Sequence, residues 1–237
     1  MKTLFRQILE TALFNGDVQH RIVLLPQIGE MAAGEEASRQ STGSVSIADD
    51  LFPSNCRVCR LPAGEAFLPS LQEAIPTGQV IRIFIFPPML GRKDLSDALR
   101  AQYPGMDLGE IVLSRVTEMV APCSLVGALL PVSFFFNESS RATRERLRET
   151  AVPRLVIAHD HPLGVFGLPF HSEFRMGTLL LDKGGDRDAP VRFFKCPAVA
   201  SDAERSEVLN DLHRLLGQHG GKTRHSYVLR ESLSPGT

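Results

Sequence analysis

Short apolar runs alternate with stretches of helical periodicity along this sequence, and the alternation constrains the fold more than any other feature. Strands that are apolar on both faces are typical of parallel sheets covered by helices on both sides. The pattern therefore predicts an α/β fold with a mostly parallel, seven-stranded sheet. Strands are expected at 21–25, 44–47, 56–60, 80–86, within 125–136, at 154–158 and 177–181, with a short extra one at 191–194.

Helical spacing marks several of the intervening segments. Apolar residues recur every three or four positions up to about Phe14, over Leu108–Met119 and after the capping box Ser201–Glu204. A charged helix is expected to follow Asn137 and end near Thr150. We predict one domain spanning 1–237, divided into a leading helix at 1–20, a sheet core at 21–195, and a C-terminal helix and tail at 196–237.

The charges nearly cancel, and this bears on possible partners. Lysine and arginine number 26 against 27 acidic residues, so the net charge is -1. No overall field favours nucleic acid, and any such contact requires a local basic face. No run reaches the roughly 18 apolar residues of a membrane span. The few cysteines favour a reducing compartment, and we expect a cytoplasmic protein.

Cys56 and Cys59 have the spacing of a redox or metal pair, but they fall within an apolar run that predicts a strand. Residues three apart on a strand point to opposite faces. Two buried structural thiols are therefore one interpretation, and redox or metal chemistry is the other. His159, His161 and His171, which lie near Asp160, leave a second metal site open in the same way.

Ligands of open α/β sheets bind outside the carboxyl ends of the strands. Pro87 and Pro88 follow the strongest strand signal, where they either build a site or simply end the strand. Asp49 and Asp50 follow the second expected strand, and Glu65 follows the third. Each acid has the alternative of being part of a solvated turn.

The second half of the sequence resembles N6-adenine DNA methyltransferases, the group that contains type I modification subunits. The likeness rests on the order and spacing of its motifs over about 125–237, and on element order alone over 15–124. The resemblance implies a Rossmann-like class I methyltransferase fold whose last strand is antiparallel. The motifs are Pro131 and Ser133, Ser139 to Arg141, Pro162 to Phe166, Thr178 to Lys183, and the tail segments VRFFKCP and SYVLRESL.

The resemblance also places a catalytic motif after the fourth strand. The family has Asn or Asp, two prolines and an aromatic residue there, and its oxygen acceptors hold the adenine amino group of a flipped base. Here the motif is Phe86, Pro87, Pro88 and Met89. Phe86 cannot accept a hydrogen bond, and Met89 has no π face. The Pro87 carbonyl is the polar contact that is kept.

The family's S-adenosylmethionine motif, Asp-Pro-x-x-Gly-x-Gly, corresponds here to LPQIGEM at 25–31. The resemblance implies that Pro26 and Gly29 contact the cofactor. Leu25 replaces the acid of that motif, and Met31 replaces its second glycine. Asp49 would hold the ribose hydroxyls, and Glu65, in a Gly-Glu-Ala segment, would meet the adenine amino group.

Arg141, Arg144 and Arg148 lie on the charged helix and are candidates for phosphate contacts. Interleaved glutamates make a solvated helix face the alternative interpretation.

Three hypotheses follow. The first is a degenerate, inactive methyltransferase-like subunit that meets DNA through a protein partner in a modification or defence assembly. The second is an active adenine methyltransferase with an atypical site. The third is an unrelated redox or metal protein that uses Cys56 and Cys59. Under the resemblance, the chain lacks the helical amino-terminal domain and the target-recognition domain of larger members.

Overall fold

The computed structural model describes residues 2–27, 51–88, 90–160, 175–199, 201–217 and 226–228. Helices and strands alternate through most of this part of the chain, as the sequence predicts. The helices are α1 (Lys2–Ala12), α2 (Phe67–Ala74), α3 (Asp97–Gln102), α4 (Leu108–Met119), α5 (Ser133–Phe136), α6 (Arg141–Thr150) and α7 (Asp202–Leu216). The strands are β1 (His20–Pro26), β2 (Arg57–Leu61), β3 (Ile81–Ile85), β4 (Ser124–Pro131), β5 (Val152–His159), β6 (Met176–Lys183), β7 (Arg192–Cys196) and β8 (Ser226–Val228).

These strands form one sheet of eight, in the order β2-β1-β3-β4-β6-β5-β7-β8. The pairs β1–β2, β1–β3, β3–β4 and β5–β7 are parallel. Strand β6 is antiparallel to both of its neighbours, β4 and β5, which confirms the expected antiparallel strand. Strand β8 is antiparallel to β7. The predicted mostly parallel α/β sheet is thus confirmed, and β7 and β8 extend it.

Two apolar cores cover the two faces of the sheet. On one face α1 and α7 pack over alternate residues of the strands, such as Val23, Phe84 and Leu180. We call this the α1/α7 face. On the other face α2, α4 and α6 pack over the intervening residues, such as Leu24 and Ile83. This alternation explains why the strands are apolar on both sides.

Close packing over β4 depends on a glycine. A Cβ atom at Gly127 would lie 2.7 Å from Phe84 Cδ2 and 2.9 Å from Leu13 Cδ2. Real Cβ atoms do not approach other carbons so closely, so glycine lets α1 settle onto the middle of the sheet.

Element boundaries follow local signals closely where those signals are strong. Helix α4 has the predicted limits, and α7 opens with the predicted capping box of Ser201 and Glu204. Helices α2, α3 and α5 and strand β8 were not predicted, and the expected strand at 44–47 lies outside the described residues. Within the described part of the chain, no helix is long and apolar enough to cross a membrane.

Candidate functional site

The carboxyl ends of β1 and β3 meet at one edge of the sheet, as the sequence reasoning required. Leu24 lies opposite Ile85, and the N–H of Phe86 donates to the Leu24 carbonyl at 2.9 Å. Pro26, which is partly buried, ends β1 beside this point, and Pro87 and Pro88 follow Phe86. The structure therefore brings the described residues of the two motifs, at 25–27 and at 86–88, to neighbouring positions.

Phe86 belongs to a cluster of aromatic side chains that packs at this edge of the sheet. Its side chain is only 2% exposed. Its ring centroid lies 5.1 Å from that of Phe84, 5.6 Å from that of Phe52 and 6.3 Å from that of Phe5, all with edge-on geometry. These separations are typical of stabilising aromatic pairs. The position at which the family carries a polar acceptor is thus part of the apolar core.

Leu25, at the position of the family's cofactor-binding acid, is buried in the same core. It is fully inaccessible to solvent, and it belongs with Phe86 to the cluster on the α1/α7 face. Leu51 and Phe52 complete that cluster from the segment before β2. A buried apolar side chain thus stands at the position that the resemblance assigns to a carboxylate, and Leu25 does not fit the charged methionine end of S-adenosylmethionine.

Glu65 follows β2, the strand directly beside β1. Its carboxylate Oε1 accepts a hydrogen bond from the N–H of Ser96, the residue before α3. One oxygen thus fixes the loop after Pro88 to the loop after β2. The side chain of Glu65 is partly exposed.

Pro87 rests on the start of α4, and Pro88 follows it. Both are buried, and the Pro87 Cβ lies 3.4 Å from the position that a Cβ of Gly109 would take. The N–H of Leu108 donates to the Leu90 carbonyl at 3.1 Å, so the loop returns against the helix. The absence of a side chain at Gly109 thus makes room for Pro87 against the start of α4.

A buried acidic network lies beneath this loop, and the sequence reasoning missed it. Asp107 and Glu110 form a capping box, and Thr143 Oγ1 donates to Glu110 Oε2 at 3.3 Å. Arg92 Nη2 lies 3.9 Å from the same oxygen and donates to the Ser139 carbonyl at 3.1 Å. Burial raises the pKa of both carboxyls. The spacing Asp-x-x-Glu at 107–110 was the available signal for the box.

The three candidate DNA-contacting arginines differ in their surroundings. Arg144 Nη1 donates to the carbonyls of Phe134 and Asn137, at 2.6 and 2.9 Å, so it anchors the preceding turn. Arg141 is exposed and pairs with Glu138 and Glu145 on its own helix. Arg148 is exposed near the end of α6. Their arrangement supports the interpretation of α6 as a solvated face.

The cysteines and histidines show no clustering among the described residues. Cys56 packs against the core of the α1/α7 face and Cys59 against the opposite core, as strand alternation predicts. Burial raises the pKa of Cys56 to about 11. His159 is buried, with Nε2 2.9 Å from Thr178 Oγ1. The part of the chain that is described contains no group of three metal-ligating residues.

Several predicted positions lie outside the described residues. They are Gly29, Met31, Asp49, Asp50, Met89, His161 and His171.

The sequence matches no model of a known protein family and no curated protein. Solved structures do match. A modification subunit assigned to a type I restriction enzyme from Vibrio vulnificus has a TM-score of 0.58 and 12% identity, over 97% of this chain and 54% of that one. A protein assigned to the class I S-adenosylmethionine-dependent methyltransferases of Listeria monocytogenes has a TM-score of 0.53 and 10% identity, over 91% of this chain and 69% of that one.

The chain has a class I methyltransferase fold. A third match, the methyltransferase subunit of a type I restriction-modification system from Streptococcus thermophilus, has a TM-score of 0.51 and 10% identity, over 96% of this chain and 54% of that one. The matched structures include type I modification subunits, the group that the sequence resembles. The chain spans about half of the Vibrio and Streptococcus proteins.

Proposed function

We propose that this methyltransferase-like chain is a degenerate, non-catalytic subunit of a DNA modification or defence assembly. The observation that carries the proposal is the burial of Phe86 among Phe5, Phe52 and Phe84. Methylation of an adenine amino group requires an acceptor at this position to concentrate the nitrogen lone pair. A buried phenyl ring cannot accept a hydrogen bond, and it occupies the space that such an acceptor would use.

The expected loss in rate is large. A preorganised hydrogen-bonding group at a reacting centre typically contributes about 3 kcal/mol, or more than a hundredfold in rate. The end of β1 has also lost a polar group, because Leu25 is buried at the position where the family has a cofactor-binding acid. Two apolar replacements at adjacent strand ends are consistent with a fold kept for its shape rather than for its chemistry.

An active adenine methyltransferase with an atypical site is the second candidate, and one observation favours it. Both Pro87 and Pro88 are buried, and Pro87 packs against Gly109, so the backbone of the family's motif has a defined position. In that case the Pro87 carbonyl would be the acceptor, while Pro26, Gly29, Asp49 and Glu65 would hold S-adenosylmethionine. The cofactor would supply the methyl group.

The proposal places the chain with a protein partner that brings it to DNA. Arg141 and Arg148, which are exposed on α6, are its candidates for local phosphate contacts, whereas Arg144 anchors the preceding turn. A net charge of -1 supports dependence on such a partner, because the chain has no overall attraction for a polyanion. The cysteines of the described residues are unpaired, which supports a cytoplasmic setting. The proposal treats 1–237 as one domain.

Two measurements on the full chain separate the candidates. The first is calorimetry with S-adenosylmethionine up to millimolar concentration, and the second is transfer of labelled methyl groups to duplex DNA of mixed sequence. A degenerate subunit transfers no label above the level of a Pro87→Gly, Pro88→Gly variant. Transfer above that level would refute the degenerate reading. Absence of both binding heat and transfer would refute the active one.

A redox or metal function for Cys56 and Cys59 has little support. The two thiols pack against opposite faces of the sheet, and burial raises the pKa of each, whereas reactive cysteines have lowered pKa values.

A further inference from the structure

Four arginines, besides Arg57 at the start of β2, occupy the other edge of the sheet, where the parallel strands begin. Arg21 lies near the start of β1, Arg82 near the start of β3, Arg154 near the start of β5 and Arg192 at the start of β7. This edge is opposite the one that carries Phe86 and Pro87. We call these four residues the arginine row.

The strand register places the row on one face. Arg21 lies opposite Arg82 on β3. Arg82 in turn lies opposite Leu125 on β4, and Leu125 lies opposite Asp182 on β6. At a bulge in β5, Arg154 reaches Asp182, with Nη1 3.2 Å from Oδ2. Arg192 lies opposite Leu155, a residue of the core under α1 and α7. All four side chains therefore belong to the α1/α7 face, at its rim.

The row is long. Five strand-to-strand steps separate β1 from β7 in the sheet order. At about 4.8 Å for each step, the row spans about 24 Å. A single phosphate or carboxylate group cannot cover that distance, but a chain of regularly spaced anions can. Along duplex DNA, one strand presents a phosphate about every 3.4 Å of helix axis, so about seven phosphates fit that length.

Two members of the row have buried donors without an acceptor. Among the residues that the structure describes, the Nε–H groups of Arg21 and Arg82 are buried and unpaired. The rest of each guanidinium is anchored, because Arg21 Nη2 donates to the Gly16 carbonyl and Arg82 Nη1 to that of Cys123, at 2.6 and 2.9 Å. Both guanidinium groups are thus held in place on neighbouring strands, at the rim of the α1/α7 face.

Acidic residues near the row do not cancel it. Asp182 is the carboxylate within the row, and it pairs with Arg154, whose side chain is 43% exposed. The connecting loops at this edge carry exposed acids at Asp17, Asp186 and Asp188. On the strands themselves, four guanidinium groups face one carboxylate. Burial and the neighbouring arginines lower the pKa of Arg82 and Arg192, as expected for a crowded set of like charges.

We propose that the arginine row binds the phosphodiester backbone of a nucleic acid, along the edge of the sheet opposite the methyltransferase-like site. Arginine suits this role because its planar fork donates two hydrogen bonds to one phosphate group. The contact reads no bases and fixes the position of the chain on the strand. The site is independent of the proposed function, because a chain of either activity could use it.

The test is fluorescence anisotropy of a labelled 20-base-pair duplex with the full chain, between 50 and 200 mM salt. The row variant is Arg154→Gln, Arg192→Gln, and the matched control is Arg100→Gln, Arg115→Gln on α3 and α4. Both variants lose two positive charges from partly exposed arginines. A lysine version, Arg154→Lys, Arg192→Lys, keeps the charge at the row.

The row variant is expected to bind the duplex at least fivefold more weakly at 50 mM salt. Its slope of log affinity against log salt should fall by close to two, because each lost phosphate contact removes about 0.9. The control should bind like the native chain, and the lysine version should keep the native slope. Absence of duplex binding by the native chain, or equal weakening in the control, would overturn the proposal.

Two further probes distinguish the source of the anion. Inorganic phosphate should displace the duplex only at high concentration, since it can occupy one part of the row. Displacement at low millimolar phosphate would show a site for a single phosphate group and contradict the backbone assignment. A poly-glutamate peptide is the second probe. If it binds more tightly than the duplex and the row variant weakens that binding, the ligand of the row is an acidic protein segment and the nucleic-acid proposal is refuted.

Discussion

Substituting alanine for Phe86 tests whether the carboxyl edge of the sheet is filled. The side chain is 2% exposed and lies against the rings of Phe5, Phe52 and Phe84. Truncation of a buried phenylalanine typically costs about 3–5 kcal/mol, since apolar contacts are lost and a cavity is left. The loss of three edge-on ring pairs is part of this cost, and we expect about 4 kcal/mol in total.

Urea unfolding followed by far-ultraviolet circular dichroism measures this cost, since the chain has no tryptophan to report by fluorescence. With a slope of about 3 kcal/mol per molar urea, the midpoint should fall by slightly more than about 1 M. A typical domain has a free energy of unfolding of about 5–15 kcal/mol, so the variant loses a substantial part of its stability.

Phe136→Ala is the matched control, because the same change is made at a ring that is 75% exposed. Its free energy of unfolding should change by no more than about 0.5 kcal/mol. If Phe86→Ala costs less than about 1 kcal/mol, the ring does not pack as described and the edge is open. The degenerate-subunit proposal would then lose the observation that carries it.

Three other outcomes follow from described contacts. Gly127→Ala should destabilise the fold by about 1–3 kcal/mol, measured by urea midpoint, because the added Cβ meets Phe84 and Leu13. Burial raises the pKa of Glu110, so its favourable contribution to stability is complete below about pH 4 and is lost as pH rises through the raised value. Glu110→Gln should therefore reduce the fall in unfolding free energy between pH 5 and 7.5. At pH 8, iodoacetamide should modify exposed Cys123 before buried Cys196, whose pKa burial raises to about 12, and the reverse order in mass spectra would contradict the packing.

Local signals were sufficient to predict the elements that carry them. Helix α4 has both a long apolar periodicity and a capping box, and β3 is a short run of apolar and β-branched residues between turn residues. Helix α2 was missed because its eight residues are too few to establish a period and Pro69 lies within it. The triple phenylalanine of α5 is apolar at every position, and such a run does not distinguish a strand from a helix.

The sequence could show part of the candidate site. Phe86 cannot serve as an acceptor in any fold, so the loss of that chemistry was predictable from residue type. Its burial was not predictable, because Phe52 and Phe5 are distant in the sequence and meet it only through tertiary packing. The arginine row was invisible for a similar reason, since its four members come from four strands whose order and register are long-range properties.

The position of β6 has a consequence for synthesis of the chain. Strand β6 fills the gap between β4 and β5, but its last residue, Lys183, follows the end of β4 by 52 positions. At about 5–20 residues per second, the ribosome needs roughly 3–10 s to supply it. During that time β4 presents an unpaired apolar edge, which is prone to pairing with other chains. The sheet therefore cannot be completed until β6 has been synthesised. Chaperone binding to nascent chains should be greatest while residues 131–183 are being made.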